Sequence, residues 1–236
     1  MTEQIYKPTI WWPTPILVVQ HVGAAAMNQR LAEIILDKER EILAQERPTP
    51  VAGVQEGLTA YWLKFNVMNW DFPECRAFAD LAVAGAREFL RINTTPGDPD
   101  YEITGISCWA NVLRHGQALD IHHHDPGFLS AHYTVQSGHE DTSEPPGDSG
   151  HTVYYRPGFV DRSHGDATFG SPWDGDWRLS KRPCAGNMTF FPSYVRHEVR
   201  SYLGCRERIS IAMDIYVKRQ QVPFYFAPPR WYVPTA

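Results

Sequence analysis

The stretch His122-His123-His124-Asp125-Pro126-Gly127-Phe128-Leu129-Ser130-Ala131-His132-Tyr133-Thr134-Val135 decides how this chain is read. It opens on four adjacent ligand-type side chains and runs on into a strand-like segment. In extended backbone alternate side chains point the same way, so His122 and His124 share one face while His123 and Asp125 share the other. Either pair can chelate one ion. A third ligand from a distant segment would complete a facial set with open positions opposite, the geometry that suits non-haem Fe(II). His197 is the best candidate for that ligand. A solvated loop that binds stray metal is the competing explanation. It fits the setting poorly, because the run lies between the strand-like stretches 108–112 and 128–135 and not in a tail.

Working outward, the chain divides into two characters. Pro13-Thr14-Pro15 precedes a short β-branched run at 16–20. Over 25–45, Met27, Leu31, Ile34, Ile35 and Leu43 recur at helical spacing with charges between them. Over 73–90, Phe78, Leu81, Ala82, Ala86, Phe89 and Leu90 repeat that pattern, and the turn chemistry of Thr94-Thr95-Pro96-Gly97-Asp98 ends it. Gly85 interrupts the second stripe at about 1 kcal/mol relative to alanine. Beyond residue 100 the segments 103–112, 128–135, 151–155, 187–191 and 208–217 are short, β-branched or aromatic, and separated by Gly, Pro and Asp. The expected class is α+β, a β-rich C-terminal half packed by helices from the N-terminal half.

The 236 residues, 43% hydrophobic and 13% aromatic, can bury the core of a single domain spanning 1–236. We expect a helical support region at 1–99, a β core at 100–218 and a tail at 219–236. Lys plus Arg number 22 and Asp plus Glu 27, a net charge of −5, and no basic run tracks a face. Nucleic acid is therefore an unexpected partner, and a small molecule or peptide is favoured. Cys75, Cys108, Cys184 and Cys205 form no CxxC pair and read as reduced thiols. There is no charged-then-apolar opening and no apolar stretch of the ~18 residues that span a bilayer, so a cytoplasmic protein without a membrane segment is expected. The apolar run Phe224-Tyr225-Phe226-Ala227-Pro228-Pro229-Arg230-Trp231-Tyr232 suits packing against a neighbour, as in a homo-oligomer, or against its own barrel.

Between 136 and 180 the chain is rich in Gly and Pro, with one convincing strand, and reads as an insertion that forms a lid or substrate wall. Trp173 and Trp177 argue against disorder throughout it. Its acidic opening, Glu140, Asp141, Glu144 and Asp148, reads as a solvated face. No residue there announces a ligand chemistry.

In three ordered blocks the chain resembles the 2-oxoglutarate and Fe(II)-dependent oxygenase family related to the prolyl hydroxylases. Trp12-Pro13-Thr14-Pro15-Ile16 stands where that family has a phrase like F-P-T-P-V. Trp109-Ala110-Asn111, Gly116 and the run from His122 to Val135 follow its centre, W-x-N, a Gly, then H-x-H-P-x-S-x-L-S-G-x-Y-Y-V. Gly186 to Ser193, His197-Glu198-Val199 and Arg208-Ile209-Ser210-Ile211 follow its closing blocks. The resemblance implies a double-stranded β-helix core, jelly-roll and cupin-like, with supporting N-terminal helices. It also implies Fe(II) and 2-oxoglutarate as cofactors, with molecular oxygen as co-substrate.

The prolyl-hydroxylase-like pattern G-Q-x-x-x-x-H-x-D, laid on Gly116-Gln117, puts its histidine at His122 and its carboxylate position at His124. The expected metal set is thus His122, His124 and His197. A facial triad normally carries one carboxylate, which His123 and Asp125 would supply one residue later, so these two stand in reserve. A one-residue slip would turn every flanking side chain over, which favours the first register, although a bulge could still bring Asp125 in.

Arg208, Ser210 and Ala212 share one strand face, opposite Ile209, Ile211 and Met213. A guanidinium fork grips a carboxylate through two parallel hydrogen bonds and a hydroxyl adds another, so Arg208 and Ser210 are the expected anchor for 2-oxoglutarate. Trp109, Asn111, His132 and Tyr133 are expected to line the pocket. Hydroxylation of a C–H bond in a small molecule, amino acid or peptide follows from the resemblance, with no catalytic residue beyond the metal site. Two other classes remain in play: a cupin-type metal enzyme that uses no 2-oxoglutarate, and a catalytically silent metal-binding module.

Overall fold

The computed structural model describes residues 4–11, 14–45, 65–94, 101–124, 127–139, 147–157 and 178–219. Asp125, Trp12, Pro13, most of the turn at 94–98, Glu140, Asp141, Glu144, most of the 136–180 insertion with Trp173 and Trp177, and the 224–232 run lie outside them. The elements in chain order are β1 (Gln4–Trp11), β2 (Thr14–His21), α1 (Ala25–Gln45), α2 (Pro73–Ile92), β3 (Tyr101–Leu113) and β4 (Leu119–His122). They continue with β5 (Leu129–Gln136), β6 (Thr152–Tyr155), β7 (Arg178–Lys181), β8 (Asn187–Pro192), β9 (His197–Val199) and β10 (Arg208–Arg219). A 3-10 turn at Val67–Asn69 precedes α2.

Helix α1 buries Leu31, Ile34, Ile35 and Ile42 on one face. Leu43, expected on that face, is exposed, and Ile42 takes its place because 31, 35 and 42 keep the stripe aligned along the helix. The same face carries Glu39, 3% exposed at its side chain and paired with Arg114 at 2.6 Å, so a buried charge is matched and not orphaned. Helix α2 starts on Pro73, where a missing N–H does no harm, with Glu74 in its first turn and Arg91 in its last, each favourable to the helix dipole.

The described strands form two antiparallel sheets. The larger has the order β1-β2-β8-β5-β10-β3 and the smaller β4-β9-β6-β7. The N-terminal β1–β2 hairpin extends the large sheet through β8, so the region before residue 100 contributes strands as well as helices. Strand β10 is the spine, paired along its length with β3 and over its first half with β5. Its alternation decides the architecture. Ile209, Ile211, Met213 and Ile215 are all fully buried with Phe78, Ala82, Ala86, Leu31 and Ile35 in the main core, so this face lies under the helices. Each such side chain contributes roughly 1.5–3 kcal/mol by leaving water. Arg208, Ser210, Ala212 and Asp214 point the other way, toward the smaller sheet. The sequence expectation of a jelly-roll double-stranded β-helix backed by helices is the fold found.

Gly85 explains itself here. A Cβ at that position would come within 2.5 Å of Phe190 Cε2 and Cζ, so the glycine lets α2 approach β8. Among the described residues, no helix is long and apolar enough to cross a membrane.

Candidate metal centre

Strands β4 and β9 are neighbours in the smaller sheet, and their register sets His122 directly opposite His197. The two rings lie 4.3 Å apart between centroids. Just past β4 the chain bends back, with the His124 N–H donating to the Ser193 carbonyl at 3.1 Å. His124 therefore leaves the smaller sheet and stacks between Trp109, at 5.4 Å, and His197, at 5.0 Å. Ligand atoms of His122, His124 and His197 all fall within 4.8 Å of one another.

One nitrogen of each ring is already spoken for. His122 Nδ1 lies 2.6 Å from the Asp120 carbonyl oxygen and His197 Nδ1 lies 3.0 Å from that of Val195. His124 Nδ1 lies 2.5 Å from Asp214 Oδ1. With Nδ1–H donating in all three, the Nε2 lone pairs are left for a common target. Burial holds His197 well below the ordinary histidine range, reinforced by His122 and His124, and burial likewise lowers His122. Neutral imidazoles are what a metal requires. His124 Nε2 is buried with no hydrogen-bond partner, a costly state unless something binds there. Three imidazole donors around such an orphaned nitrogen fit a divalent transition ion of the Fe, Ni or Zn kind. His123 is exposed and does not join the cluster, while Asp125 is outside the described residues.

At the other end of the same β10 face sits Arg208, 1% exposed. Its Nε donates to the Gly150 carbonyl at 3.0 Å, one Nη to Ser210 Oγ at 3.2 Å and the other to Thr152 Oγ1 at 3.4 Å. A guanidinium has five N–H donors, so one on each Nη remains, the fork that receives a carboxylate. Among the described residues no carboxylate pairs with it, and burial lowers its pKa to about 10. Gly150 has φ +65° and a Cβ there would lie 3.2 Å from Arg208 Cδ, so the glycine makes room for the arginine stem.

The expected pocket residues divide. Trp109 stacks on His124, and Asn111, opposite Ser210 in the register, has a buried Oδ1 without a partner. His132 is opposite Ala212 and its Nε2 meets the Tyr154 hydroxyl, so these three face the site. Tyr133 does not. As the next residue on the strand it points to the helices, donating its hydroxyl to Asn28 Oδ1 at 2.6 Å and packing on Phe78. Four residues were not singled out from the sequence: Asp214, Tyr154, Thr152 and Gly150. Extending the Arg208-Ser210-Ala212 alternation by one step would have found Asp214. The other three lie in the insertion and its strand, where no pattern marks them.

Residues 107–214, which contain His122, His124, His197, Arg208 and Asp214, match the family model described as "Putative 2OG-Fe(II) oxygenase". A prolyl hydroxylase from Trichoplax adhaerens, solved with a hypoxia inducible factor peptide fragment, has a TM-score of 0.55 at 13% identity, over 85% of this chain and 83% of its own. A prolyl-4-hydroxylase from Pseudomonas putida has a TM-score of 0.52 at 16% identity, over 89% and 91%. AviO1 from Streptomyces viridochromogenes Tue57 has 0.51 at 11%, over 99% and 93%. At such identities these likenesses establish the shared fold. No curated protein matches the chain in sequence. Over residues 107–214 the chain is thus similar to the 2OG-Fe(II) oxygenases, a family named for Fe(II) and 2-oxoglutarate.

Proposed function

We propose that this chain is a 2-oxoglutarate-dependent dioxygenase that hydroxylates a C–H bond of a small molecule, amino acid or peptide. The observation that carries the reading is Arg208, a buried cation with no carboxylate partner among the described residues, on the strand face that also bears Asp214 beside His124. Such a cation is expensive to bury alone and is matched by a dicarboxylate cosubstrate. His122, His124 and His197 would hold the metal through Nε2. Iron bound there supplies the oxidative chemistry, with 2-oxoglutarate as the source of the remaining electrons.

The chain's own residues bind, orient and keep water out. Arg208 offers two parallel N–H donors to the distal carboxylate, and Ser210 and Thr152 fix the plane of its fork. Trp109 and Phe191 wall the histidines with aromatic carbon, at 5.4 Å from His124 and 4.9 Å from His197. His132 is held neutral, its pKa lowered to about 3 by burial, then by Arg208 and His124, so it presents no competing positive charge to the anchor. Free Cys75, Cys108, Cys184 and Cys205 support a reducing, cytoplasmic setting.

The all-imidazole set also favours a second reading, a cupin-type metal enzyme that uses no 2-oxoglutarate. The deciding experiment supplies Fe(II), 2-oxoglutarate and air to the purified protein and measures succinate. Succinate that depends on all three supports the dioxygenase reading. Metal binding without succinate overturns it in favour of the cupin-type enzyme or a silent module.

A further inference from the structure

The usual facial iron site combines two histidines with one carboxylate, whose charge offsets one of the two positive charges of the ion. Three neutral imidazoles offset none. In this protein the nearest carboxylate among the described residues stands one step back. Asp214 Oδ1 accepts from His124 Nδ1 at 2.5 Å, with the two side chains 11% and 6% exposed. The contrast with the other two histidines is specific. His122 and His197 are oriented by neutral carbonyls two residues away in their own segments, whereas His124 is oriented by an anion from another strand, 90 residues later. A carboxylate accepting from Nδ1–H raises the basicity of Nε2 and adds its charge to the site.

We propose that Asp214 is a positioning residue of the metal centre: acting through His124, it supplies the negative charge that a directly bound carboxylate would otherwise provide. The inference rests on the three-histidine reading of the metal site. It predicts a swap. A carboxylate moved to position 124 would do Asp214's work directly, and Asp214 would then be a like charge facing it.

The test is anaerobic titration with Co(II) alone, reading affinity and the visible d–d bands, on the wild type, Asp214→Asn, His124→Asp and the double variant. Asp214→Asn keeps the shape and loses the charge. It is expected to weaken Co(II) by about 10–100-fold and shift the bands, while the metal-free melting temperature stays close to that of the wild type. His124→Asp alone is expected to bind poorly, and adding Asp214→Asn to it should restore affinity. Unchanged affinity and bands in Asp214→Asn would reduce Asp214 to packing. A double variant no better than His124→Asp would sink the charge argument even if Asp214→Asn failed to fold. Wild-type protein that takes up no Co(II) would overturn the three-histidine site itself, and this proposal with it.

Discussion

The imidazole of His132, on the larger sheet, and the phenol of Tyr154, on the smaller one, are joined by a hydrogen bond across the interior of the barrel. Tyr154 in turn bonds to Thr189, and burial raises its pKa beyond the ordinary phenol range. His132 is pushed the opposite way, to about 3, so the pair is neutral at both members through physiological pH. It links the two sheets beside the histidine cluster, where Tyr154 pairs with His197, contributing polar structure without charge.

Acid should therefore destabilise the metal-free protein. His132, His122 and His197 all have folded pKa values below the ordinary histidine value of 6.5, so the unfolded chain takes up protons first as pH falls. Their contribution is fully present above about pH 6.5 and is lost progressively below it, toward about 3 for His132, at up to ~1.4 kcal/mol per pH unit for each histidine. Urea midpoints at pH 7.5, 6.5 and 5.5 should fall in that order. A midpoint that is flat or rises toward pH 5.5 would mean these imidazoles are not buried as neutral groups.

The ligand register can be read by comparing two adjacent histidines. His124→Ala removes a cluster member whose Nε2 is buried and unpartnered, while His123→Ala removes an exposed ring. Metal content after loading with Fe(II) and desalting should drop at least tenfold in the first and stay near the wild type in the second. The reverse pattern would transfer the site to the reserve pair.

Arg208 should separate cosubstrate binding from metal binding. Replacing it with Gln removes the charged fork but preserves much of the volume, and a charge-assisted hydrogen bond is worth about 1.5–3 kcal/mol. The 2-oxoglutarate KM is expected to rise about 10–100-fold, with Fe(II) content unchanged. Turnover that persists with an unaltered KM would remove Arg208 as the anchor of 2-oxoglutarate.

The helices and the strands β3, β5, β6, β8 and β10 were legible, the longest of them through a single-period pattern: Leu31, Ile35 and Ala82, Ala86 at helical spacing, Ile209, Ile211 and Met213 at strand spacing; the short strands β4, β7 and β9 carry no such pattern and were not expected. The same period of two should have excluded Tyr133, since His132 and Tyr133 cannot both face the pocket from one unbroken strand. Tyr154 and Thr152 were illegible for a different reason. Their role comes from the pairing of β6 with β9, which sets Tyr154 beside His197 and Thr152 beside Val199, and a four-residue strand encodes no partner in its own sequence. Alternation places Asp214 on the face of Arg208 and Ser210, but an acid near the middle of a strand reads as solvent-facing until the other sheet is known to cover it.

Gly85 offers a test of the fold that is independent of the site. By helix propensity, alanine at this position should stabilise α2 by about 1 kcal/mol. Packing opposes this, because the added methyl would sit 2.5 Å from two ring carbons of Phe190, itself fully buried in the main core. Overpacking of a close-packed core is typically destabilising by about 1–3 kcal/mol, so Gly85→Ala should lower stability by a net of up to ~2 kcal/mol despite its better propensity. Phe190→Leu shortens the obstructing side chain, so Gly85→Ala should be much less harmful in that background. Urea denaturation of the four members of the cycle measures the coupling. If Gly85→Ala stabilises the wild type, or costs the same in both backgrounds, then α2 does not approach β8 as closely as the Gly85–Phe190 contact requires.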